Sequence, residues 1–168
     1  MDTVRQRAVR ALYVTAAIAY AADRVTKVAA ERALPGDPIT VIPGVLSFRY
    51  ATNSGGAFSL FQDFPWFFAA VSIVVSVGIV ATSARHDDRV VATALGLILG
   101  GALGNLTDRV VRGPGLSGEV VDFIDLQVWP VFNLADSAIV IGALVLAWRS
   151  ARPGRRRTVP ERRDRDGD

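Results

Sequence analysis

The residues of this chain that could do chemistry sit in short polar groups set into long apolar surroundings. Asp23 and Lys27 are four apart. Asn105, Asp108 and Arg109 make a second group, and Asn133 and Asp136 a third. Asp122 stands inside the run Val120-Val121-Asp122-Phe123-Ile124. A charge placed in hydrocarbon costs on the order of 2.5 to 3.5 kcal/mol even on lenient scales, so its repeated use asks for a reason. Taken singly, each group has a structural one. Asp23 and Lys27 have the spacing of a helical ion pair. Asp108 beside Arg109 suits a pair that reaches out to water. Asp136 suits the positive end of a helix. Taken together they suit a catalytic pocket. The chain has no cysteine, which excludes thiol nucleophiles, disulfides and thiolate metal sites. Its single histidine, His86, lies in the charged stretch Arg85 to Arg89, away from these groups, so no metal or other cofactor is expected. Two nucleophile systems remain. One is a pair of aspartates sharing a proton. The other is a Ser-Lys dyad of Lys27 with Ser54, Ser59 or Ser137. Two close carboxylates cannot both ionise cheaply, so one keeps its proton near neutral pH. The ionised member can then take a proton from water while the other hydrogen-bonds a scissile carbonyl.

What must position these groups is a set of membrane helices. Just over half of the 168 residues are hydrophobic, and they come in four blocks: about Ala8 to Ala22, Trp66 to Ala84, Val90 to Leu106 and Val131 to Trp148. The last three are close to the ~20 residues that cross a ~30 Å hydrocarbon core. In lipid every backbone polar group must pair within its segment, so the blocks are expected to be helices. The first has the basic start of a signal peptide, but Asp23, Arg24 and Lys27 follow where small cleavage-site residues would stand. The helical pattern runs on to Leu34, before Pro35-Gly36, and a retained helix is expected. Gly96, Gly100, Gly101 and Gly104 in the third block predict close packing along one helix face.

Four crossings place both termini on one side. Arg5, Arg7, Arg10, the Arg85 to Arg89 loop and the arginine-rich tail mark that side as cytoplasmic. The polar groups then gather at the outer face. The expected fold is an all-α membrane protein of four transmembrane helices. A small extracytoplasmic β-rich segment is expected between helices 1 and 2, from Ile39 to Ile42 and Val45 to Tyr50. Residues 1–150 form the membrane domain, and 151–168 a disordered basic cytoplasmic tail rather than a nucleic-acid-binding arm. A small transporter or channel also uses intramembrane carboxylates, but there is no internal repeat of the kind common in such folds.

Five patches of sequence, in order, are similar to those of the lipoprotein signal peptidases (signal peptidase II), and the resemblance covers about Leu12 to Trp148. Asp23 and Lys27 match D-x-x-x-K. Asn53 to Phe58 match N-x-G-x-A-F, with Asn53 and Gly55 in place. Gly104 to Arg109 match G-N-x-x-D-R, Val120 to Phe123 match V-V-D-F, and Phe132 to Asp136 match F-N-x-A-D. The resemblance implies an aspartyl endopeptidase of the bacterial cytoplasmic (inner) membrane. It would cut prolipoproteins just before a diacylglyceryl-modified cysteine and bind globomycin-like inhibitors and membrane lipids, with no nucleic acid. The catalytic pair would be Asp122 and Asp136. Asn105, Arg109 and Asn133 would shape the pocket and hold the substrate backbone. Asn53 would lie on the covering segment, Asp23 and Lys27 would brace the site, and Asp108 would support it. The chain departs from the pattern in a short connection between the two aspartates and in Gly56, where alanine is expected. Asp125 and Asp108 are competing carboxylates. Asp122 ranks ahead of Asp108 because Arg109 is a ready structural partner for the latter.

Overall fold

The computed structural model describes residues 3–55 and 65–152. Gly56, Ala57, Phe58, Ser59 and the tail 153–168 lie outside the described residues. Helix α1, Thr3–Ala33, has 31 residues, about 46 Å at 1.5 Å per residue. It ends before Pro35-Gly36, where Gly36 takes φ 151. Strands β1 (Ile39–Ile42) and β2 (Leu46–Asn53) follow, then α2 (Pro65–Thr82), α3 (Arg89–Val111), strand β3 (Val120–Asp125) and α4 (Leu134–Ala151). A single 3-10 turn, Ser83–Arg85, carries α2 into the short connection to α3. Asp88 caps α3, accepting from the amides of Val90 and Val91.

Among the described residues, three helical stretches are long and apolar enough to cross a membrane: Trp66–Arg85, Arg89–Val111 and Leu134–Ala151. The apolar run of α1 is interrupted by Asp23, Arg24 and Lys27, although the helix continues through them. Asp23 and Lys27 are wholly buried against the other helices, so their charges are met by protein.

The glycines of α3 explain its packing on two neighbours at once. A Cβ at Gly96 would lie 2.5 Å from the Leu12 carbonyl oxygen, and one at Gly100 2.5 Å from that of Ala16. A Cβ at Gly104 would collide with the Asp23 carboxylate. These three, four apart, form the face that receives α1. Gly101 faces α4 instead, its missing Cβ leaving room for the Ala135 carbonyl. The single packing face expected from the four glycines is therefore two faces, since 100° per residue turns Gly101 away from Gly100.

The sheet is antiparallel with order β1-β2-β3. The expected extended stretches between the first two helices are β1 and β2. The third strand corrects the expectation of a sheet confined to that segment, because it comes from the connection between α3 and α4. Ser47 pairs with Asp125 and Asn53 with Val120. Phe48, Phe123 and Ile124 pack on Ala30 and Leu34 at the end of α1. Phe132 pairs with Ile124 as an isolated bridge. That is why α4 starts at Leu134 rather than at Val131: Val131 to Asn133 are drawn along the sheet edge before Asn133 caps the helix.

Candidate active site

Asp122 and Asp125 are three apart in a strand, so they face opposite sides. Asp125 turns to Arg49, 2.6 Å away, and accepts from the Gln127 amide at 2.9 Å. That amide and the guanidinium hold its carboxyl below the usual range. Asp125 thus leaves the competition for the site. Asp122 turns inward and is 2 % exposed. It accepts from Asn133 Nδ2 at 2.6 Å and from Asn53 Nδ2 at 3.1 Å. Asn53 reaches it because it pairs with Val120, two residues before Asp122 on the same face. Burial pushes the Asp122 carboxyl up to about 7, and the negative charge of Asp136 adds to that rise.

Asp136 stands in the first turn of α4. Its amide donates to Asn133 Oδ1 at 2.9 Å, and its Oδ2 accepts from the Asn133 amide at 3.3 Å, a capping box. The dipole-favoured helix charge is therefore real, and the same carboxylate also faces the site. Asn105 Nδ2 donates to Asp136 Oδ1 at 2.8 Å. Asn133 Nδ2 also lies 3.2 Å from Asn105 Oδ1. Asn133 and Asn105 thus bridge from one carboxylate to the other.

Arg109 donates to the Ser54 carbonyl at 3.3 Å and the Gly118 carbonyl at 3.4 Å, and lies over the Phe68 ring at 5.7 Å. Its charge acts on Asp122 and Asp136. Gly55 takes φ 125, and a Cβ there would meet Phe68 at 2.8 Å. Only a glycine lets this segment lie so close over the site. Both aspartates, Asn53, Gly55, Asn105 and Arg109 line a cavity of ≈ 390 Å³ whose other walls include Phe68, Val71, Trp129 and Ile139.

Asp108, Asp23 and Lys27 form a second group behind the cavity. The expected pairing of Asp108 with Arg109 does not describe its partners. Asp108 pairs with Lys27 at 2.9 Å, with Arg112 at 3.1 Å, and with Arg24. Neighbours along a helix diverge by 100°, and Arg112, four residues on, shares the face that Arg109 does not. Arg24 and Arg112, with Glu31 on Arg112, were not singled out from the sequence, although the i,i+4 spacing of Asp108 and Arg112 was a signal for one of them. Lys27 Nζ is held by Asp23, Asp108 and Asn105. Ser137 donates to the Asn133 carbonyl, and Ser54 meets the site through its own carbonyl. Neither arrangement is a Ser-Lys dyad, and Ser59 is outside the described residues.

Residues 15–152 match the family model described as signal peptidase (SPase) II. The chain belongs to the signal peptidase II family. It is 43% identical over 137 residues to a lipoprotein signal peptidase of Rhodococcus jostii, covering 80% of this chain and 69% of the relative. A lipoprotein signal peptidase of Mycobacterium avium is 41% identical over 166 residues, covering 94% and 91%. A solved structure described as a bacterial membrane enzyme superposes with TM-score 0.73 at 30% identity, covering 83% of this chain and 86% of the other. Signal peptidase II membership makes the chain a protease. The apolar helices and the membrane-enzyme neighbour make it membrane-embedded.

Proposed function

We propose that this protease is an aspartic endopeptidase in which Asp122 and Asp136 are the catalytic pair. Removal of signal peptides from prolipoproteins follows from its family. The observation that supports the aspartic reading is the joining of the two carboxylates through Asn133 and Asn105, at one cavity. With one proton between them, the ionised carboxylate takes a proton from water as the water oxygen attacks the scissile carbonyl. The protonated one hydrogen-bonds the carbonyl oxygen. When the tetrahedral intermediate collapses, the C–N bond breaks and a proton passes to the leaving amine. Arg109, Asn53 and Asn105 present donors where an extended substrate backbone would lie. The apolar walls at Phe68, Val71 and Ile139 suit a signal peptide entering from the bilayer, with the cut just before a diacylglyceryl-modified cysteine. Globomycin-like inhibitors would fill the same cavity.

The enzyme then lies in the bacterial cytoplasmic membrane with four crossings, both termini cytoplasmic and the site near the outer face. The arginine distribution and the length of α1 support this. The deciding experiment is cleavage of a lipid-modified prolipoprotein in detergent by wild type, Asp122→Asn and Asp136→Asn. Each variant is expected to lose about 10³-fold or more in kcat, near the upper part of the range for a general acid or base. Two variants that cut at the wild-type rate would overturn the pair. Equal rates on lipidated and unlipidated precursor would overturn the lipid requirement.

A further inference from the structure

We propose that Asp23, Lys27 and Asp108 form a positioning clamp that sets Asp122 against Asp136 by holding the backbone amide just before each of them. The proposal rests on the reading of Asp122 and Asp136 as the catalytic pair. Asp23 Oδ1 accepts from the amide of Ala135 at 3.0 Å. Asp108 Oδ2 accepts from the amide of Val121 at 3.4 Å. Lys27 Nζ lies 2.9 Å from Asp23 Oδ2 and 2.9 Å from Asp108 Oδ2, so one ammonium joins the two arms. It also donates to Asn105 Oδ1 at 2.8 Å, and Asn105 in turn donates to Asp136.

The pair is carried by two separate elements, a strand and a helix N-terminus, and its proton sharing depends on the distance between them. A buried ion cluster is weak grounds for stability, since apolar residues of similar volume often do as well. What apolar residues cannot do is accept those two amides. The clamp also accounts for the lone lysine among 19 basic residues. Three acceptors surround Nζ, and an ammonium has three donors on a compact centre. A planar guanidinium does not fit that arrangement. Asp23, Lys27 and Asp108 are each 0% exposed, so their geometry is fixed by packing rather than by solvent.

The test separates holding an amide from holding the fold. Asp23→Ala and Asp108→Ala remove an arm, whereas Asp23→Asn and Asp108→Asn keep an oxygen acceptor. Steady-state cleavage of lipid-modified prolipoprotein is measured alongside thermal unfolding in detergent. The Ala variants are expected to lose about 100-fold in kcat with KM changed by less than about 3-fold, the scale of misplacing a reacting group by an ångström. The Asn variants are expected within about 10-fold of wild type, although both members of each Ala/Asn pair lose the charge. The double Ala variant is expected to be no slower than the slower single, because either arm alone frees the pair. Lys27→Arg is expected to lose about 100-fold in kcat despite its retained charge. Arg112→Gln, which releases Glu31 and Asp108 Oδ1 but leaves the Asp108 Oδ2 contacts to Lys27 and the Val121 amide in place, is expected to keep the wild-type kcat. Equal loss in Asn and Ala variants, losses carried by KM, or multiplying losses in the double variant would each overturn the clamp. Should the Ala variants not fold, the Asn variants decide: a loss beyond about 10-fold in kcat overturns it. Asp122→Asn and Asp136→Asn run in the same assay. If they still cut, the catalytic pair is wrong. If they are inert while the Ala variants are fully active, only the clamp is wrong.

Discussion

Asp122 is held inside protein, and its carboxyl keeps a proton up to about pH 7, against an ordinary value of 3.8. The unfolded chain gives that proton up near the ordinary value. Between these two pH values the folded form holds a proton that the unfolded form has released. Stability therefore falls as pH rises through that window, and the loss is complete above it. Three units at about 1.4 kcal/mol each set the scale at about 4 kcal/mol. Asp122→Asn removes the buried charge but leaves one of Asn53 and Asn133 facing an amide nitrogen, which cancels part of the gain. The variant is expected to melt several degrees above wild type at pH 8 and to lose that advantage below pH 4. An equal difference at both pH values would contradict this origin. The same titration bounds activity. If the proposed pair works with one proton, kcat/KM is expected to fall as pH rises through about 7, with the apparent value belonging to both carboxylates. An alkaline limb beginning only above pH 9 would show that Asp122 is not the group titrating. At this scale the sequence was most legible where a polar side chain interrupts an apolar run, as at Asp122, Asn133 and Asp136. It was least legible where partners come from different helices, as Arg24 and Arg112 do around Asp108. Adjacency in sequence pointed to Arg109, and helix geometry assigns Arg109 elsewhere.

The elements follow the same division. Apolar length located α2, α3 and α4, because lipid forces backbone pairing within each one, whereas α1 was read from a shorter apolar block and a helical pattern that runs on to Leu34. β3 was hidden as a strand. Its residues are buried on both faces, so Val120 to Ile124 shows no alternation and is too short to distinguish from buried helix. Its partner β2 lies far upstream, and nothing local announces that pairing. The glycines of α3 were legible as packing residues, but not the neighbour each one serves. That assignment has a measurable consequence. At Gly100 a Cβ would stand 2.5 Å from the Ala16 carbonyl and 2.7 Å from the Ala19 Cβ, so Gly100→Ala pushes α1 off α3. The expected cost is about 1 to 3 kcal/mol. Activity is expected to fall as well, since α1 carries Asp23 and Lys27 to the site. Gly78 in α2 has nothing within 4 Å of its missing Cβ, and Gly78→Ala is expected to leave stability unchanged or raise it by up to about 1 kcal/mol. Thermal unfolding in detergent of the two variants checks the contrast. Similar melting temperatures would mean that the α1–α3 contact yields without cost.

For the whole molecule, the proposed number of crossings turns on α1. Its 31 residues are long enough to cross, yet it carries charges that the three apolar stretches largely avoid. Asp23 and Lys27 do not argue against crossing, because they are buried in protein and meet each other and Asp108 there. The stretch from Ala11 to Ala22 that faces outward elsewhere is free of charge, and the arginines before it stand where cytoplasmic flanks belong. α1 packs along α3, and a crossing α1, as proposed above, would put Thr3 with the α2–α3 connection on one side and Asp37 with the sheet on the other. The absence of cysteine makes the test direct, since each introduced thiol is the sole target. Thr3, Asp37 and Asp87 are all exposed, and Thr3→Cys, Asp37→Cys and Asp87→Cys are expected to keep the fold. In intact cells a membrane-impermeant maleimide is expected to label Asp37→Cys and to spare the other two until the membrane is permeabilised. Labelling of Thr3→Cys together with Asp37→Cys would leave α1 on the outer surface and reduce the crossings to three. Labelling of Asp87→Cys in place of Asp37→Cys would turn the molecule over and put the cavity of Asp122 and Asp136 on the cytoplasmic side, where a prolipoprotein's cleavage site could not reach it after export.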